Sequence, residues 1–185
     1  MEDKKIIYGS AETEIWTQIE ADFKADEDMF HYDVIIHQAD RNISLYIDID
    51  LGGGFEGGSE ITRLSAPLNI APTFKFAIHD KDFLDSIGKF FGLEDVYTGY
   101  PEFDEHVIIK TNHEGKVREL FADATLQEVF TRLEDFDFGI HTHTVEDTGE
   151  EQPFLELNIN VGITDATALK PIYDAFVKVI TELEK

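Results

Sequence analysis

The chain has 185 residues, 42% of them apolar, and sets 15 Lys and Arg against 39 Asp and Glu for a formal charge of −24 at pH 7. That length and apolar fraction can fill a self-sufficient core, burying roughly 70% of the surface the unfolded chain exposes, which excludes a disordered chain despite the charge. The acid surplus excludes nucleic acid, whose binding rests on Lys and Arg displacing counterions, and the lack of cysteine excludes disulfides, thiolate metal sites and thiol catalysis.

The opening MEDKKIIYGS lacks the apolar core of a secretory signal, and no apolar run is long enough for a bilayer. Taken as the full chain, this predicts a soluble cytoplasmic protein with no membrane insertion. Residues 11–26 place Ile15, Trp16, Ile19 and Phe23 at helical spacing. An extended run from His31 follows, then Asp40-Arg41-Asn42 as a hairpin turn. From 42 to 50, Ile43, Leu45, Ile47 and Ile49 alternate with Ser44, Tyr46, Asp48 and Asp50, a strand with one wet face. The glycine-rich LGGGFEGGSE reads as a hairpin tip. Gly52, Gly54 and Gly57 fit G-x-G-x-x-G, but the β-branched ITRLS follows, and a dinucleotide site needs a helix N-terminus there.

ITRLS and TFKFAI read as further strands, making an antiparallel meander from 33 to 79. Asp80 is expected to cap a helix through Phe83, Leu84, Ile87, Phe90 and Phe91, closed by Gly92. Residues 93–104 look irregular, EHVIIK extended, and Asn112 and Asp123 begin two helices. Phe136, Phe138 and Ile140 alternate with Asp135, Asp137 and His141, and Leu155, Leu157, Ile159 and Val161 alternate with Glu156, Asn158 and Asn160, a hairpin across EDTGEEQP. A C-terminal amphipathic helix starts near 167–170 with Pro171 in its first turn. The pattern predicts one α+β domain over 1–185: a largely antiparallel sheet with one face covered by helices, and helices at both termini.

Two candidate sites emerge. His141 and His143, at i and i+2 of a strand, share a face, and two imidazoles so spaced can chelate a divalent metal if Glu156 from the neighbouring strand joins them. Plain solvent-facing histidines give the same pattern. Asp48 and Asp50 also share a face, without converging on other oxygens. The usual hydrolase and metallohydrolase signatures are missing, so the chain leans away from an enzyme, and no cofactor is expected.

The second site comes with a resemblance. Arg63, Ala66 and Pro67; Gly88, Lys89, Gly92 and Asp95; Thr98, Gly99, Phe103 and Asp104; Ile109, Lys110 and Asn112; and Val117, Arg118 and Leu120 form separated motifs across about a third of the chain. They resemble a family of bacterial proteins of unknown function, and the resemblance implies a shared fold and no established activity. Arg63, Lys89 and Lys110 around Asp95 and Asp104 are a candidate ligand site in a chain poor in bases; the structural reading is a loop latched by ion pairs. The expected function is a non-enzymatic domain binding a protein or small ligand. The alternatives are a metal-binding protein or enzyme on the polar sheet face, and an acidic, dimeric, secretion-chaperone-like fold.

Overall fold

The computed structural model describes residues 4–26, 28–53, 57–70, 73–81, 93–145 and 149–185. In chain order these form β1 (Lys5–Gly9), α1 (Glu12–Ala25), β2 (His31–Gln38), β3 (Arg41–Asp50), β4 (Ser59–Pro67), β5 (Phe76–Asp80), β6 (Glu94–Val96), α2 (Pro101–His106), β7 (Val107–Thr111), α3 (Glu114–Leu120), α4 (Ala124–Arg132), β8 (Phe136–Thr144), β9 (Glu151–Ile159) and α5 (Ala166–Leu183). Nine strands make one mixed, mostly antiparallel sheet in the order β1-β2-β3-β4-β9-β8-β5-β7-β6. The fold is α+β, as the alternation predicted.

Period-2 burial decides which side of each strand meets the helices. Val34 and Ile36, Ile43, Leu45 and Ile47, Leu64 and Ala66, Leu155 and Leu157, and Phe136 and Phe138 all turn to one face and are at most 2% exposed. On that face they join the stripe Ile15, Trp16 and Ile19 of α1, Leu126 and Phe130 of α4, and Leu169, Tyr173 and Phe176 of α5 in one continuous core. A phenylalanine cluster fills its centre: Phe130 stacks on Phe138 at 4.7 Å and meets Phe121 and Phe136 at 5.9 and 5.7 Å.

Several expectations require correction. β1 is a strand that the sequence pattern does not announce: it pairs parallel to β2 across α1, and its five residues with an irregular pattern carry too little periodicity. The meander stops at β4, because β4 pairs with β9, and β5 pairs with β8 and β7. The C-terminal hairpin is thus inserted between neighbours in sequence. The β2–β3 turn is Ala39-Asp40, with Arg41 and Asn42 already in the ladder. His113 caps α3, its Nδ1 accepting from Lys116 N at 3.3 Å, while Asn112 accepts from Lys75 N at 2.9 Å and donates to Thr73 O at 2.6 Å. The segment 93–104 is less irregular than expected, since it holds β6 and the start of α2. α5 begins at Ala166 under an Asp165 cap, so Pro171 sits in its second turn. The helix expected over 83–91 lies outside the described residues.

Asp123 ties two helices together. Its carboxylate caps α4 through Thr125 N at 2.9 Å and pairs with Lys178 of α5. Lys178 first, and the Thr125 hydroxyl second, hold the carboxyl down at about 2 against an ordinary 3.8. Because the folded value lies below the unfolded one, this tie is fully present above about pH 4 and is lost as pH falls toward 2. Carboxyl-carbon NMR titration is expected to place the Asp123 midpoint near the depressed value, and Lys178→Met to return it toward that of an ordinary carboxylate. An unmoved midpoint in the variant would refute the assignment.

Candidate functional site

Away from the helices, the sheet presents its second face. Over β2, β3, β4 and β9 it is mostly polar and at least partly exposed, carrying His31, Asp33, His37, Ser44, Tyr46, Asp48, Arg63, Ser65, Glu156 and Asn158 beside the half-buried Ile35, Ile61 and Phe154. β5 and the first half of β8 depart from this pattern, because Phe76 to His79 and Phe136 to Ile140 are buried on both sides. Asp137, expected on a wet face, has no exposure, and His79 has 2%.

Strand register sets these groups in one cross-strand row. Tyr46 stands opposite Arg63, Arg63 opposite Asn158, Asn158 opposite Asp137, and Asp137 opposite His79. The row runs from solvent into the interior over three interstrand steps from Arg63 to His79, about 14 Å. Arg63 Nε donates to Asn158 Oδ1 at 2.6 Å, and Asn158 Nδ2 donates to Asp137 at 2.9 and 3.3 Å. Reaching the buried carboxylate fixes the Asn158 amide with its oxygen toward Arg63. At the inner end, His79 Nδ1 lies 2.9 Å from the Asp80 carbonyl, which can only accept, so Nδ1 carries the proton. Nε2 is buried with no hydrogen-bond partner among the described residues. A buried ring nitrogen without a partner, next to a buried carboxylate, is costly.

The predicted histidine pair does meet Glu156. His143 Nε2 lies 2.9 Å from Glu156 Oε1, and His141 Nδ1 lies 4.0 Å from Oε2. Ser65 Oγ donates to the same carboxylate at 3.4 Å. Even so, among the described residues no three His, Asp or Glu side chains form a group that could hold a metal ion. As it stands, the trio is a carboxylate shared between two imidazoles. Asp48 pairs with His31 at 3.0 Å, and Asp50 accepts from Gly52 N at the neighbouring hairpin.

The second predicted cluster comes apart. Lys110 and Asp95 pair at 2.5 Å across β7 and β6. Asp104 accepts from Thr98 N, Thr98 Oγ1 and Gly99 N at 3.0, 2.7 and 2.9 Å, latching the turn before α2, while Phe103 plugs the core against Phe121. Arg118 Nε donates to Tyr97 O at 3.0 Å. These contacts are those of a latched loop. Arg63 does not belong to it: β4 and β7 are four strands apart, about 19 Å. Lys89, like Gly88 and Gly92, lies outside the described residues. The sequence pattern does not single out Asn158, Asp137 and His79, because alternation reports which face a residue takes and not whether that face is covered.

No family model, curated protein or solved structure matches the chain. No helix among the described residues is long and apolar enough to cross a membrane.

Proposed function

We propose that this protein is a non-enzymatic binding domain of the resembled bacterial family, working in the cytoplasm, whose protein or small ligand contacts the polar face of the sheet along β4 and β9. The observation that carries this reading is the row from exposed Arg63 through Asn158 to buried Asp137 and His79. Polar groups committed to one another on the side away from the core hold a surface residue in a set orientation, which is how binding sites are preorganised.

Thermal melts of the full chain against amino acids, sugars, amines, carboxylates and divalent cations, followed by hydrogen exchange, test it. A ligand at about 100 times its Kd stabilises by about 2.7 kcal/mol, a shift of about 5–10 °C for a chain of this size. Protection of residues 59–67 and 151–159 is expected to accompany that shift. Stabilisation that protects only other elements, or no shift with any class, counts against the reading.

A further inference from the structure

With acids outnumbering bases 39 to 15, an exposed cation meets a carboxylate easily, and three of the four arginines do. Arg41, Arg118 and Arg132 face Glu184, Glu114 and Glu128 at 3.3, 2.6 and 2.6 Å. Arg63 alone has no carboxylate within 4.0 Å among the described residues. Among the described residues its one side-chain hydrogen bond is the 2.6 Å contact from Nε to Asn158, whose amide is in turn anchored on the fully buried Asp137. The guanidinium is therefore held by its Nε, and its two terminal nitrogens have no hydrogen-bond partner among the described residues.

We propose that the terminal edge of Arg63 binds the carboxylate of a ligand lying on the sheet face; this deepens the binding-domain reading and rests on it. Two parallel N–H groups match the two oxygens of a planar carboxylate. A phosphate dianion fits less well, for a reason of charge. Arg63 is the one Lys or Arg on β4 and β9, Glu156 lies on the same face two residues along β9 from Asn158, and Asp137 stands behind Asn158, so each extra negative charge on a ligand adds repulsion. Tyr46, opposite Arg63 on β3, and the facing pair Ser44 and Ser65 offer a ring and hydroxyls to the rest of the ligand. The ligand class is a monocarboxylate on an otherwise uncharged body, whether a small molecule or the free C-terminus of a peptide.

NMR of the side-chain Nε–H of Arg63 and the Nδ2 amide of Asn158 in the full chain reads the site directly. The probes are benzoate, benzamide, inorganic phosphate, and a short uncharged peptide with a free or an amidated C-terminus. Benzoate is expected to shift both signals saturably by about 50 mM, at least about tenfold more tightly than benzamide or phosphate. Arg63→Lys, which keeps the charge but not the fork, is expected to weaken it about tenfold, and Arg63→Gln to abolish it. Both substitutions sit at an exposed position, so the fold is expected to persist, which unchanged backbone amide spectra check. A free-terminus peptide tighter than benzoate identifies a peptide source, and the reverse a small molecule. No saturable shift, tighter phosphate, or unchanged affinity in Arg63→Lys overturns the inference. A ligand that protects β4 and β9 equally in wild type and Arg63→Gln also overturns it, while leaving the binding-domain reading standing.

Discussion

Gly139→Ala is expected to cost at least about 3 kcal/mol and to leave little folded protein at 37 °C. A Cβ at Gly139 would lie 2.4 Å from the Phe76 carbonyl oxygen and 2.9 Å from Ala77 Cα. Both are backbone atoms of β5, so no side chain can swing away to make room. Relief requires β5 and β8 to separate, and that seam is three residue pairs long: Ala77 with Gly139, Ile78 with Phe138, and His79 with Asp137. Opening it also pulls Phe138 off Phe76, with which it packs edge to face at 5.7 Å. Urea denaturation compares this variant with Gly53→Ala, where an added Cβ meets nothing within 4 Å and the change is expected to stay within about 0.5 kcal/mol. Equal midpoints for the two variants would mean that the β5–β8 spacing is not fixed as described.

The second large effect belongs to Phe130. The ring is 1% exposed and touches Phe121, Phe136 and Phe138, so it joins α4 to both β8 and the turn after α3. Truncation to alanine removes the transfer free energy of the ring and leaves a void that three aromatic neighbours cannot all collapse into, about 3–5 kcal/mol in total. For a chain of this size that lowers Tm by about 6–20 °C. Tyr97→Ala, at a ring 73% exposed, is the matched control and is expected to move Tm little. Similar Tm losses for Phe130→Ala and Tyr97→Ala would count against Phe130 as a core anchor.

What the sequence discloses follows the range of the interactions involved. Unbroken period-2 alternation over 42–50 and 155–159 placed β3 and β9 and their buried faces, and the stripes of α1, α4 and α5 were equally plain, because each pattern lies within a single element. The partners of β4 and β5 were not legible, since Leu64 of β4 stands opposite Leu157 of β9 and Ile78 of β5 opposite Phe138 of β8, far beyond any local pattern. The meeting of His141 and His143 with Glu156 followed from hairpin geometry, a local feature. The supposed grouping of Arg63 with Lys110 and Asp95 failed because nearness of motifs along the chain does not measure distance across a sheet. Asp137 shows the remaining gap. Its place in the alternation marked it as polar and outward, whereas its burial is set by tertiary cover that no short window encodes.

The position of β8 and β9 has a consequence for the order in which this molecule can be assembled. Residues up to Pro67 supply one side of the sheet and residues 76–111 the other, and both sides are made before the hairpin that joins them. During synthesis, β4 and β5 therefore each stand with a naked inner edge, an open template for any strand nearby, until residues 136–159 emerge to occupy the gap. A ribosome stalled before that point would release a chain with both edges open, and the surplus of acids over bases along it opposes the meeting of two such chains.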